Sequence, residues 1–383
     1  AMAAVRGDPA GGQSGGWVLA AADPLPGLQG LARAWRRELG CRVVGITGSV
    51  GKTSVKDICR AILPVRVHAS PENYNTEIGL PLAILGAPPE TEVLVLEMAM
   101  RGLGQIAELC RIAEPEIGAI TSVGPVHLEL LGTLEAIVEA KAELLAALPT
   151  RGRAVVPADA EALRPHLSES LVTITFGAGG DVFALDSRPD GRSTEATIGT
   201  PDGEARFRLP FTEAHNLSNA LAAIAIGVAL EAPLAEMARR APGITFSRLR
   251  GELLELPGGI VLVNDCYNAN PVSMRAALDH LASMSASRHV AVLGEMAELG
   301  PDAPAYHREA GAHARRLGVG PIVGVGELAR DYAPDEWAPD AEAAGPLVER
   351  LVEPGDAALI KGSRSVGLEA IADRLRAAAG GPR

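Results

Sequence analysis

The sequence predicts an α/β protein of two successive units, each a mainly parallel sheet wrapped by helices. Three observations predict it. At 383 residues the chain is long enough for more than one hydrophobic core. It is 47% hydrophobic but only 3% aromatic, so its cores must be built from Leu, Val, Ile and Ala, as in layered α/β folds. Short apolar runs also alternate with helical stretches along almost the whole chain.

After a Gly/Ala/Pro-rich start and the apolar run WVLAAADPL, a helix is expected over LPGLQGLARAWRRELG. Strands follow at RVVGIT, EVLVLEM, IGAITSV, RAVVPAD and LVTITFG, with helices between them. RSTEATIGT and GEARFRLP, separated by turn residues, read as a small antiparallel addition, and NLSNALAAIAIGVALEA as a buried helix. Near residue 244 the pattern resets. GELLEL, GIVLVND, HVAVLGEM, PIVGVGE and DAALIKG then alternate with helices to the end. The expected division is residues 1–40, 41–243 and 244–383.

The net charge of −12 argues against a nucleic-acid or anionic-membrane binder, but leaves room for a local basic pocket. The four cysteines are far apart and read as reduced, buried thiols. The first residues lack the order of a signal peptide, and no apolar run reaches the ~18 residues of a membrane span, so a cytoplasmic protein is expected.

In open parallel sheets ligands bind beyond the carboxyl ends of strands, and unusual polar residues collect there. VVGIT runs into GSVGKTS, EVLVLEM delivers Glu97, and IGAITSV leads to His127. In the second unit Asp265, Glu295, Lys361 and Arg364 hold equivalent positions. TGSVGKTS between a strand and a helix is a phosphate-binding loop. Gly48 and Gly51 let backbone N–H groups converge on phosphate oxygens, Lys52 adds a point charge, and Thr53 can ligate Mg²⁺. Ile46 stands where the full Walker spacing has its first glycine, so this is the tighter GxxGKT form.

Lysine usage is biased. Of 35 Lys and Arg residues, only Lys52, Lys56, Lys141 and Lys361 are lysines. Lys141 falls within the apolar stripe of GTLEAIVEAKAELLAAL, made by Leu134, Ile137, Val138, Leu144, Leu145 and Leu148, while Glu135, Glu139 and Glu143 share the wet side. Taken singly, Glu97 reads as a helix cap, His127 as a loop histidine and Lys141 as a snorkelling side chain. Together they suggest an oxygen- and nitrogen-lined site for two divalent ions beside the loop. A desolvated lysine has a neutral, nucleophilic amine. Reaction with CO₂ makes it a carbamate, an oxygen ligand that arginine cannot form.

Eight segments in order, GITGSVGKTSVKD, ENYNTEIGLPLAIL, LEMAMRGLGQIAEL, GPVHLELLGTLEAIVEAKAELL, HNLSNALAAIA, NDCYNANPVSMRAAL, LGEMAELG and IKGSRSVGLE, resemble the Mur ligases. The likeness is greatest to the branch that adds D-alanyl-D-alanine to a UDP-linked muramoyl tripeptide. The resemblance implies a central P-loop ATPase domain followed by a Rossmann-like C-terminal domain, and an ATP-dependent amide ligase working through an acyl phosphate as a monomer.

It also implies roles by position in the motifs. Gly48, Ser49, Gly51, Lys52 and Ser54 would hold the phosphates. Thr53 and Glu97 would hold one Mg²⁺, and His127 with carbamylated Lys141 a second. Asn216 would meet the adenine, and Arg250, preferred to Arg248, the γ-phosphate. Asp265, Tyr267 and Asn268 would serve the nucleotide and closing interface. Asn73, Asn75, Asn270, Lys361 and Arg364 would face the acceptor or the dipeptide, although such asparagines also suit turns. Two departures are expected to matter. About forty residues before the first strand are few for the family's UDP-binding domain, so they read as a remnant or linker. Ala99 stands where glycine was expected. A folylpolyglutamate-type ligase with another acceptor and an ATP-binding form without turnover are the alternatives.

Overall fold

A six-stranded, wholly parallel sheet organises the first half of the chain in this computed structural model, which describes residues 2–6, 17–71, 73–126 and 128–379. Its strands run in the order Val67–Ala69, Val93–Glu97, Arg42–Thr47, Ile117–Ile120, Arg153–Pro157 and Val172–Phe176. Both faces are covered, which explains why the central strands read as continuous apolar runs. Val44, Ile46 and Val95 pack with the helices Lys52–Ile62 and Ala214–Ala229. Val43, Leu94 and Leu96 pack on the opposite side with the helices Gly79–Leu85, Gln105–Ala113 and Leu134–Ala146.

The helix Pro24–Leu39 starts at an Asp23 cap and ends at Gly40 in the left-handed region. Trp35 donates to the Ala87 carbonyl at 3.1 Å, and Arg36 donates to the carbonyls of Ala113 and Glu114, both at 2.9 Å. These bonds fasten it to the central unit. The addition after Phe176 has three antiparallel strands, Phe183–Asp190, Ser193–Thr200 and Gly203–Leu209; the first was not foreseen.

The second sheet orders its strands Glu252–Leu256, Ile260–Asn264, Ala357–Lys361, His289–Gly294, Ile322–Val325 and Glu336–Ala338. Only the first edge strand is antiparallel. Val67–Ala69 and Glu336–Ala338 escaped the sequence reading because three residues carry too little periodicity. Between the two units, the Asp57 carboxylate accepts from the Ser247 amide and hydroxyl at 2.8 and 2.7 Å, tying the linker to the helix behind the phosphate loop. Lys56, beside it, is buried and donates to the Ser70 carbonyl at 3.0 Å. Its lysine is therefore a packing feature. Among the described residues no helix is long and apolar enough to cross a membrane.

Candidate active site

The carboxyl edges of both sheets face one cleft of ≈ 1060 Å³, lined from each unit. Its floor is the loop Gly48–Gly51. Gly48 has φ +152°, and a Cβ there would lie 2.0 Å from the Thr121 hydroxyl; Gly51 has φ +86°, and a Cβ would lie 2.3 Å from Asn219 Oδ1. Both positions therefore require glycine. The loop is braced from behind: Ser49 donates its amide to the Ser122 carbonyl at 3.0 Å and its hydroxyl to the Gly124 carbonyl at 2.9 Å. The Val50 amide donates to the Ser122 hydroxyl at 2.9 Å. Thr121, Ser122 and Asn219 were missed by the sequence reading. The first two sit at the end of the strand run IGAITSV, and Asn219 is one helical turn past Asn216, so position alone could have found them.

The helix Lys52–Ile62 points its N-terminus, the positive end of its dipole, into the loop. Lys52 donates to the Gly48 carbonyl at 2.6 Å. Burial lowers its pKa from the usual lysine value; the Arg250 cation lowers it further and Glu97 opposes both. Thr53 donates its hydroxyl to Glu97 Oε2 at 2.9 Å, and Glu97 is only 3% exposed. Asn75 donates its side-chain amide to the other oxygen of Glu97, also at 2.9 Å, while its carbonyl accepts from the Ala99 amide. Asn75 thus orients Glu97 as well as lining the cleft, and Asn73 lines the same wall. The Thr53 hydroxyl and Glu97 carboxylate form the hard-oxygen pair that suits Mg²⁺ beside a phosphate.

Lys141 is 2% exposed on the helix Leu134–Ala146 and is not among the residues that line the cleft. Desolvation, with the Lys52 charge added, pushes its pKa well below the usual lysine value. It does not snorkel. Its helix departs from the expected stripe at Leu134, which is exposed, and at Glu143, which accepts from the Ala107 amide at 3.0 Å and caps the neighbouring helix. His127 lies outside the described residues. Among those described, no cluster of three or more His, Cys, Asp and Glu side chains forms a ready metal site.

Ser54 and the buried Asn216 line the central-unit side, with Asn219 donating to Asn216 Oδ1 at 3.1 Å. From the second unit come Arg250, Asp265, Tyr267, Asn268, Asn270 and Lys361. Arg248 is exposed and absent from the lining. Lys361 is held by Asp265 Oδ2 at 2.6 Å and the Asn268 carbonyl at 3.0 Å. This ammonium therefore fixes the Asp265–Asn268 loop, and a substrate carboxylate would have to compete for it. Asn270 caps the helix Pro271–Ser283 through Ser273, the turn chemistry its motif also allowed. Arg364 is more than half exposed, pairs with Glu369 in the first turn of the last helix at 2.7 Å, and is not among the residues that line the cleft.

A Mur ligase middle domain model matches residues 46–227, and a Mur ligase glutamate ligase domain model matches residues 249–364. The UDP-N-acetylmuramoyl-tripeptide–D-alanyl-D-alanine ligase of Synechocystis is 38% identical, the match covering 93% of this chain and 79% of the relative. The crystal structure of MurF from Acinetobacter baumannii superposes with a TM-score of 0.87 at 29% identity, covering 95% of this chain and 83% of that one. The MurF ligase from Thermotoga maritima in complex with ADP gives 0.83 at 30% identity, covering 93% and 84%.

Proposed function

The chain belongs to the Mur ligase family, and we propose that it joins D-alanyl-D-alanine to a UDP-N-acetylmuramoyl-tripeptide in peptidoglycan precursor synthesis. It is an ATP-dependent peptide-bond ligase. The observation that carries the reading is the convergence of the Lys52 loop and Arg250, from separate units, on one cleft that also holds Thr53 and Glu97. The 38% identity over almost the whole chain favours D-alanyl-D-alanine over a folate-linked glutamate.

The chemistry proceeds in two transfers. The acceptor carboxylate oxygen attacks the γ-phosphorus of ATP, the bond to the ADP oxygen breaks, and an acyl phosphate forms. The amine of the dipeptide then attacks the carbonyl carbon, loses its proton, and expels inorganic phosphate as the C–O bond breaks. Bound Mg²⁺ would spread the phosphate charge during the first transfer. The Ser49 and Val50 amides brace the loop against Ser122, so the first amides of the helix Lys52–Ile62 and the Lys52 ammonium hold the phosphates in line. Thr53 and Glu97 present oxygens for one Mg²⁺, and Asn75 fixes the Glu97 rotamer by its hydrogen bond. Asn216 recognises the adenine, while Ser49 and Ser54 complete the loop.

Lys141 is the proposed carbamate. Burial favours its neutral amine, which would add CO₂ and release one proton to leave a carbamate anion near the Lys52 charge. With His127 it would hold a second Mg²⁺. Asn73, and Asn270 at its helix start, border the acceptor and closing surfaces. One chain supplies both halves of the site, so a monomer suffices, and the need for ATP and a UDP-linked precursor fits the cytoplasm.

The test is a phosphate-release assay with substrate omission. Release must require ATP, the UDP-linked tripeptide and D-alanyl-D-alanine together. Turnover with a folate and glutamate but not the dipeptide would move the chain to the other ligase class. ATP binding with no release on any acceptor would support the form without turnover.

A further inference from the structure

Arg250 is presented by an unusual piece of backbone. The residues on either side of it, Leu249 at φ +63° and Gly251 at φ +66°, are both left-handed. A leucine there costs about 1–2 kcal/mol and persists only where its surroundings hold it. Part of that hold comes from Tyr267, whose amide donates to the Leu249 carbonyl at 3.2 Å. The same tyrosine places its ring against the arginine side chain, with Arg250 Cζ 3.9 Å from the ring centroid. Arg250 Nε is buried and has no hydrogen-bond partner among the described residues.

An aromatic face holds a guanidinium without neutralising it, whereas a carboxylate would occupy the N–H groups that a phosphate needs. The acid nearest in sequence to Tyr267, Asp265, is engaged by Lys361 at 2.6 Å. We propose that Tyr267 is a positioning residue that aims Arg250, by its ring and its amide, at the terminal phosphate of ATP. Arg250 and Lys52 both line the same cleft, one from each unit. The inference rests on reading the cleft as an ATP site and adds a division of labour: Tyr267 discriminates triphosphate from diphosphate through Arg250 and leaves recognition of the base to other groups.

The test is a mutant cycle of Tyr267→Ala, Arg250→Ala and the double variant, with Tyr267→Phe as the conservative change. Calorimetry measures binding of ADP and of adenosine 5′-(β,γ-imido)triphosphate, each with Mg²⁺. Tyr267→Ala should weaken the triphosphate analogue about tenfold and ADP less than about threefold, with most of the loss recovered in Tyr267→Phe. On the Arg250→Ala background, Tyr267→Ala should add less than about twofold. Equal losses for both nucleotides, or additive effects, would overturn the inference and make the ring a platform for base or ribose. Binding is read without ligation. A coupled cycle in a chain that ignores D-alanyl-D-alanine sinks only the substrate reading; additivity in a chain that ligates it sinks only the inference.

Discussion

Replacing Gly51 with alanine separates two costs that the phosphate loop imposes on its sequence. Gly51 has φ +86° and its added Cβ would sit 2.3 Å from Asn219 Oδ1; Gly104 has nearly the same φ, +83°, with nothing within 4 Å of its Cβ. Gly104→Ala therefore measures the left-handed backbone alone, about 1–2 kcal/mol. Gly51→Ala carries that cost and also displaces Asn219 from its 3.1 Å bond to Asn216, about 1 kcal/mol more. Thermal melting should show Gly51→Ala at least about 2 °C below Gly104→Ala, since 1 kcal/mol corresponds to roughly 2–4 °C in a unit of this size. Moving Asn219 also disturbs Asn216, so ATP should bind the Gly51 variant about tenfold more weakly, the equivalent of about 1.4 kcal/mol. Equal melting temperatures and equal ATP affinities in the two variants would refute the steric argument.

Glu97→Gln removes the charge and one of the two acceptor oxygens, and should lower the phosphate-release rate about 100-fold or more while shifting its Mg²⁺ requirement upward; a Mg²⁺ titration checks this. Lys141→Ala should abolish turnover, with partial recovery in short-chain carboxylates that replace the carbamate oxygens; an unmodified lysine in the active, Mg²⁺-bound enzyme, seen by mass, contradicts the carbamate. Glu114, hydrogen-bonded by Arg37 and flanked by Arg33, has its carboxyl held down to about 2 from 4.5. A depressed folded-state pKa stabilises above the unfolded value, so its contribution is complete above about pH 4.5 and fades as the pH falls toward 2. Because the pair is partly exposed, Glu114→Gln should cost only about 1 kcal/mol at pH 7 and nothing near pH 2, read by denaturant melts across that range.

The strands that build the two sheets were legible because burial on both faces makes them unbroken apolar runs. The phosphate loop was legible because its glycines, lysine and threonine are each demanded by backbone approach or charge. The anomaly of Lys141 was also visible, since an ammonium in an apolar stripe violates the helical pattern. What escaped were properties of three-dimensional neighbours. Nothing in ENYN distinguishes Asn75, which holds Glu97, from Asn73, which does not. The position of Arg364 at a strand end suggested a ligand, and nothing there signalled its pairing with Glu369 five residues later. Lys361 was expected to meet substrate, whereas Asp265, 96 positions away in sequence, holds it through a contact made only by adjacent strands of the sheet.

The most direct test follows an oxygen atom. With ¹⁸O in the acceptor carboxylate of the UDP-linked tripeptide, complete turnover with ATP and D-alanyl-D-alanine should place one ¹⁸O in inorganic phosphate, detected by mass spectrometry, with ADP as the other product. Label appearing in AMP, or phosphate free of label while the peptide bond forms, would contradict activation of the carboxylate by the γ-phosphate.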